Sequence, residues 1–237
     1  MAQSLPKAIL FDLDDTILAD SVSAEACWQR VCTKFAPRIN GLKSEKLLAA
    51  IDETRAWYWG DPERHRRGRL NLNRARREIV AAAFLKLNID APGVANEIAD
   101  SYTLEREEAV RLFPGATDTL SRLRDRGIRL ALITNGNAEA QRRKIDRFAL
   151  APLFDYILIE GEFGVGKPDE SVYLHALKQL NANPGEAWMV GDNLEWEVAA
   201  PQRLGIRCIW IDPESSGLPE SSDVSPDRII RALSELI

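Results

Sequence analysis

The chain has 237 residues, 45% of them hydrophobic, which is enough for one large domain or for a core with a smaller companion. Its formal net charge of −5 argues against a general nucleic-acid binder, and no apolar run approaches the length of a membrane span. Cys27, Cys32 and Cys208 include no Cys-x-x-Cys pair, and with only His65 and His175 beside them they argue against zinc and for free thiols. Met1–Lys7 carries no signal-peptide pattern, so a cytoplasmic protein without a membrane partner is expected.

The first predicted element is a short apolar run, Ala8-Ile9-Leu10-Phe11, that ends abruptly in Asp12-Leu13-Asp14-Asp15-Thr16. Such a run reads as a buried parallel strand reaching the edge of its sheet. Strand side chains alternate, so Asp12 and Asp14 point one way and Leu13 the other. Two neighbouring carboxylates at a strand end are costly unless a cation or a shared proton relieves them.

From Ser21 to about Arg111 the pattern is helical only. Ala24, Cys27, Trp28, Val31 and Phe35 recur at helical spacing, followed by Leu47, Leu48, Ile51, Thr54 and Trp57, and then Ile79, Ala82, Ala83 and Leu87. Pro37, Gly60-Asp61-Pro62 and Ala91-Pro92-Gly93 punctuate them. An all-helical insert of this size is most economically a second domain, giving a core of residues 1–20 and 112–237 and an insert of 21–111. The insert is rich in arginine: Arg64, Arg66, Arg67, Arg69, Arg74, Arg76 and Arg77 read either as a solvated face or as one or two groups reaching an acidic substrate. Trp28, Trp57, Tyr58 and Trp59 read as helix-packing residues before a stacking platform.

Beyond Phe113-Pro114-Gly115-Ala116 strands and helices alternate. A helix through Leu120 and Leu123 stops at Gly127. Strands are predicted at Ile128–Ile133, Tyr156–Ile159, Ala187–Val190 and Cys208–Ile211, with helices at Ala138–Phe148, Glu170–Leu180 and Glu195–Leu204. Gly217–Ser225 reads as a polar linker and Pro226–Leu236 as a closing helix. The alternation predicts an α/β fold, a doubly wound, Rossmann-like parallel sheet carrying an inserted helical domain. Ligands of such sheets sit beyond the carboxyl ends of the strands.

Four stretches fall at that edge in order: Asp12-Leu13-Asp14-Asp15-Thr16, Ile133-Thr134-Asn135-Gly136, Gly166-Lys167-Pro168-Asp169 and Val190-Gly191-Asp192-Asn193. Together they resemble the motifs of the haloacid dehalogenase-like superfamily, in its phosphatase branch. The resemblance implies a phosphoric monoester hydrolase of a small phosphorylated metabolite, working through a phospho-aspartate with Mg²⁺. It implies Asp12 as nucleophile and Asp14 as general acid and then base, with Thr16 orienting Asp14. The implied metal ligands are the carboxylates of Asp12 and Asp192 and the backbone carbonyl of Asp14, with Asn193 beside them. Thr134, Asn135 and Lys167 would hold the phosphoryl group, and the insert would be a type 1 cap closing over the site. One position departs from the family's pattern. The second acid of the last motif, usually Asp, is here Glu197, suited to hold a metal-bound water or to pair with Lys167. Nearby Glu195 reads as a helix N-terminal acid.

Three rival readings differ in class. Gly161 to Lys167 satisfies most of a P-loop spacing, but Pro168 stands where Mg²⁺ binding needs Ser or Thr and disfavours a helix at Lys167. A haloacid dehalogenase needs the nucleophile alone, leaving Asp14 and Asp192 without a task. A catalytically silent module on the same fold is opposed by the intact set Asp12, Asp14, Lys167 and Asp192.

Overall fold

A computed structural model of the protein describes residues 5–237, so the first four residues of the stretch read for a targeting signal lie outside the described part. The chain divides into two compact units, one holding the residues up to Ala19 and Arg111–Ile237, the other Asp20–Val110.

The first unit is built on β1 (Ala8–Phe11), β4 (Arg129–Thr134), β5 (Tyr156–Ile159), β6 (Ala187–Gly191), β7 (Arg207–Ile211) and β8 (Arg228–Ile230). All pair in parallel, in the order β5-β4-β1-β6-β7-β8. Every residue of β1 is fully buried, as a strand covered on both faces requires. Ala8 and Leu10 join the cluster that includes Val172, Tyr173 and Ala176 from α9 (Glu170–Gln179). The chain leaves β1 for β4 and β5 on one side and returns on the other side for β6 to β8. The order therefore reverses at β1, and the crevice at the carboxyl end of that strand is the natural ligand site. The remaining helices of the unit are α6 (Ala116–Asp125), α7 (Ala138–Arg147), α8 (Glu160–Phe163) and the short α10 (Ala200–Gln202).

Three local expectations are corrected. The closing helix is instead β8 followed by a 3₁₀ turn at Leu233–Leu236. In this strand Ile230 is buried and Ile229 is 46% exposed, an edge-strand alternation too short to announce itself as period two. The helix expected over Glu195–Leu204 opens as a π-helical turn, Leu194–Ala199, before α10. The helical insert is flanked by β2 (Leu18–Ala19) and β3 (Arg111–Leu112), which pair antiparallel.

The second unit is helical: α1 (Ala24–Phe35), α2 (Ser44–Trp59), α3 (Pro62–Leu70), α4 (Leu72–Lys86) and α5 (Pro92–Ala109). Cys27, Trp28, Val31, Leu47, Ile51, Ile79, Ala83, Ile98 and Tyr102 belong to one core. Trp57, placed on the core face by its spacing, is 54% exposed, and Tyr58 is buried instead. Leu47, Ile51, Thr54 and Tyr58 keep the steps of four and three that define one helix stripe, and Trp57 falls a residue short of it. All three cysteines are free and buried. Among the described residues no helix is long and apolar enough to cross a membrane.

Candidate active site

Asp12 follows β1 directly, and its backbone N–H still donates to Val190 O at 3.0 Å, so the sheet ladder fixes it. Its Oδ1 accepts a hydrogen bond from Lys167 Nζ at 2.5 Å. The same ammonium stands 2.7 Å from Glu197 Oε1, with Lys167 and Glu197 each 1% exposed. Burial alone lowers a lysine, but Asp12 and Glu197 hold Lys167 above its ordinary pKa and keep it charged.

Two glycines make this closeness feasible. A Cβ on Gly191 would stand 2.1 Å from Glu197 Cγ, and one on Gly166 would stand 2.4 Å from Asn135 Oδ1. Asn193 caps the π-helical turn, its Oδ1 accepting from Glu195 N at 3.1 Å and Trp196 N at 3.0 Å. The Asn193 N–H donates to Glu197 Oε2 at 2.7 Å. The turn thus swings Glu197 inward to Lys167, while Glu195 is exposed and pairs with Arg203 at 3.3 Å. π-helical turns are frequent where a side chain must be re-aimed at a functional site.

Asp192 follows β6, its carbonyl accepting from Trp210 Nε1 at 2.5 Å. Burial first, then the charges of Asp12, Glu197 and Asp15, push its carboxyl well above the ordinary carboxylate range, with Lys167 opposing. Burial likewise raises Glu197 against the pull of Lys167. The charges of Asp12, Glu197 and Asp15 thus bear on Asp192, with the Lys167 ammonium opposing them. That excess negative charge suits a divalent cation. Among the described residues no three His, Cys, Asp or Glu side chains converge as a metal cage. Two carboxylates supplemented by backbone carbonyl oxygen instead suit Mg²⁺, which keeps several of its waters.

Asp14 sits beside a tight turn. Leu13 O accepts from both Ile17 N at 3.0 Å and Leu18 N at 2.9 Å. Asp15 takes the left-handed conformation (φ 61°), which Asp tolerates better than most residues. The Asp14 carboxylate meets two residues of α7 that the sequence did not single out. Gln141 Nε2 donates to Asp14 Oδ2 at 2.8 Å, and Lys144 Nζ to Asp14 Oδ1 at 2.7 Å. Their spacing of three puts both on one face of α7. Thr16, expected to orient Asp14, is fully buried and its hydroxyl has no hydrogen-bond partner.

At the end of β4, Thr134 Oγ1 accepts from Gln141 Nε2 at 2.6 Å. Asn135 does not present its amide freely. Its Oδ1 accepts from Lys167 N at 2.7 Å, and its Nδ2 donates to Lys167 O at 2.8 Å. An acid that the sequence did not signal, Glu160, is 2% exposed and accepts from Gly136 N at 2.9 Å. The peptide between Lys167 and Pro168 is cis.

Gln141 links Asp14, Thr134 and the Asn135 carbonyl through one nitrogen. Removing such a supporting group typically costs ~10–100-fold in activity. Gln141→Leu is expected to lower kcat in that range with little change in KM. Steady-state kinetics beside a melting curve check it, and an unchanged kcat in a folded variant refutes the assignment.

A family model described as haloacid dehalogenase-like hydrolase matches residues 6–205. A phosphoserine phosphatase of Thermus thermophilus is 33% identical, with 97% of each chain covered. A glyceraldehyde 3-phosphate phosphatase of Methanopyrus kandleri is 28% identical, covering 98% of this chain and 95% of its own. Among solved structures, a 2-haloacid dehalogenase of Pseudomonas syringae is 29% identical with a TM-score of 0.63, covering 98% of this chain and 96% of its own.

Proposed function

Because the chain belongs to the haloacid dehalogenase-like hydrolase family and is a phosphoric monoester hydrolase, we propose that it is a Mg²⁺-dependent phosphatase of small phosphorylated metabolites with Asp12 as its nucleophile. An Asp12 oxygen attacks phosphorus, the ester oxygen leaves, and an acyl phosphate forms on Asp12. Asp14 delivers the proton that the leaving alkoxide needs and then takes one from the water that hydrolyses the acyl phosphate. Lys167 orients the Asp12 carboxylate and neutralises charge on the phosphoryl oxygens, while Glu197 keeps the ammonium in place. Thr134 stands at the phosphate end of β4, and Asn135 acts on the loop, holding the Lys167 backbone by both of its polar groups. When bound between Asp12, Asp192 and the Asp14 carbonyl, Mg²⁺ supplies charge neutralisation at the transferring phosphoryl group.

The observation that carries this reading is the acid-rich site around Lys167, whose ammonium lies 2.5 Å from Asp12 and 2.7 Å from Glu197, while burial first and then three neighbouring acids raise Asp192. A dehalogenase, whose halide leaves unprotonated, needs neither that cation-binding charge nor Asp14. The test is hydrolysis of phenyl phosphate with Mg²⁺, with chelator, and beside 2-chloropropionate as a rival substrate. Phosphate release that needs Mg²⁺ is expected. Halide release without any phosphatase activity overturns the proposal, and inertness toward both substrates and a wider panel of phosphate esters points to a silent module.

A further inference from the structure

The basic residues of α7 divide by what they meet. Arg142 pairs with Glu162 of α8 at 2.7 Å, Arg143 with Glu139 one turn back at 2.6 Å, and Arg147 lies over the Phe148 ring at 5.0 Å. Lys144 shares a face with the buried Gln141 instead, and its Nζ donates to Asp14 Oδ1 at 2.7 Å. Asn137 fixes the start of this helix, its side chain accepting from Ala140 N at 3.1 Å. One helix, begun just after the phosphate end of β4, therefore reaches both oxygens of the Asp14 carboxylate.

Gln141 does not hold that carboxylate firmly by itself. An amide nitrogen has two hydrogens, and this one faces three acceptors: Thr134 Oγ1 at 2.6 Å, Asp14 Oδ2 at 2.8 Å and Asn135 O at 3.1 Å. Asp14 receives only a share of it. Lys144 gives the other oxygen a charge-assisted bond, of a kind roughly twice as strong as a neutral one. A bond to one oxygen leaves a carboxylate free to swing, whereas bonds to both fix its plane. Each oxygen has a second lone pair, so the clamp leaves room for a proton to come and go. Stability does not account for the pair. The Lys144 and Asp14 side chains are 20% and 29% exposed, and ion pairs wetted in this way contribute little to folding.

We propose that Lys144 is a positioning residue of the reaction: it holds one Asp14 oxygen while Gln141 holds the other, and so fixes the orientation in which Asp14 meets the leaving oxygen. The inference rests on the phosphatase reading above, in which the proton on Asp14 passes to the ester oxygen as its bond to phosphorus breaks. Lys144 acts through Asp14 and not on the phosphoryl group, whose charge Lys167 neutralises. Its loss therefore weakens proton delivery and leaves phosphate binding as it was, a split that separates it from a phosphate ligand and from a residue that only braces α7.

The experiment compares two esters on the full chain: phenyl phosphate, whose weakly acidic phenol needs a proton to leave, and 4-nitrophenyl phosphate, whose acidic phenol needs it far less. Lys144→Met is expected to lower kcat/KM for phenyl phosphate by ~10–100-fold and for 4-nitrophenyl phosphate by a clearly smaller factor. Inhibition by inorganic phosphate and the melting temperature stay close to wild type. Lys144→Arg, which keeps the charge and a donor, falls between wild type and Met and serves should Met fail to fold. On an Asp14→Asn background, Lys144→Met has no further effect on 4-nitrophenyl phosphate, because the two residues act as one unit. Equal losses for both esters, weaker inhibition by phosphate, or a further fall on the Asp14→Asn background each overturn the assignment. A crystal structure of Lys144→Met reads the clamp without turnover: the Asp14 carboxylate is expected to leave its orientation or to adopt more than one, and an unmoved carboxylate refutes the clamp. A wild type that hydrolyses no phosphate ester sinks the phosphatase reading and leaves that crystallographic result decisive for Lys144.

Discussion

Asp12→Asn is expected to abolish turnover of every phosphate ester, by on the order of 10⁴–10⁶-fold, as removal of a nucleophile does in other covalent enzymes. The change keeps the shape and removes the negative charge together with the attacking oxygen's reactivity. Lys167 retains Glu197 as its partner at 2.7 Å, so the fold should survive and the melting temperature should shift little. The companion measurement is acid-quench trapping of the phosphorylated wild-type enzyme followed by peptide mapping. A label on any residue other than Asp12 removes the nucleophile assignment. A residual kcat within about tenfold of wild type does the same, because a supporting group, not a nucleophile, gives losses of that size.

Lys167→Met should damage both activity and stability, and the two losses can be separated. It strands two buried carboxylates, Asp12 at 7% and Glu197 at 1% exposure. Removing one partner of a buried ion pair costs ~3–5 kcal/mol. In a chain of this length about 1 kcal/mol moves Tm by roughly 2–4 °C, so a fall of roughly 6–20 °C is expected. The pH dependence has a definite sign. Burial already raises the Glu197 pKa, and Lys167 restrains that rise, so its loss lifts the folded-state value further. A carboxyl raised in the folded state contributes no penalty below the ordinary carboxylate range and an increasing one as pH climbs toward its folded value. The Tm deficit of Lys167→Met should therefore be larger at pH 8 than at pH 5. Adding Glu197→Gln should restore much of the Tm at pH 8 without restoring kcat, which falls about 10²–10³-fold when a preorganised charge is lost. If the double variant also recovers turnover, Lys167 acts only as a structural counter-ion.

The sheet-edge residues were legible because strand ends announce themselves: an apolar run stops, and acids or a glycine-flanked lysine follow. That logic reaches Asp12, Asp14, Lys167 and Asp192. It does not reach Gln141 or Lys144, which read as the polar face of α7 and meet Asp14 only through the packing of that helix on the sheet. Glu160 is equally silent, since a glutamate after a strand reads as solvated until Gly136 N–H is seen to bind it. Asn135 stands out by type and place, but the sequence does not show that its side-chain amide holds the Lys167 backbone. Edge elements were misread for a simple reason. Three residues, Arg228–Ile230, are too few for alternation to outweigh the helical spacing of the apolar residues around them. In the insert, the arginines could be read as a class, but only the tertiary structure shows what each one meets, Glu78 for Arg67 and Arg74 and the Tyr102 ring for Arg76.

The contact between Gly191 and Glu197 also restricts how this sequence can change over time. A Cβ at position 191 would lie 2.1 Å from Glu197 Cγ and 2.6 Å from its Cβ. Shortening the acid to Asp leaves the second collision in place, so exchange of Glu for Asp at 197 opens no room at 191. Position 191 is then closed to change whichever acid stands at 197. A lineage can trade acids at 197 while glycine stays at 191, but it can enlarge 191 neither before nor after that exchange and remain folded around Lys167.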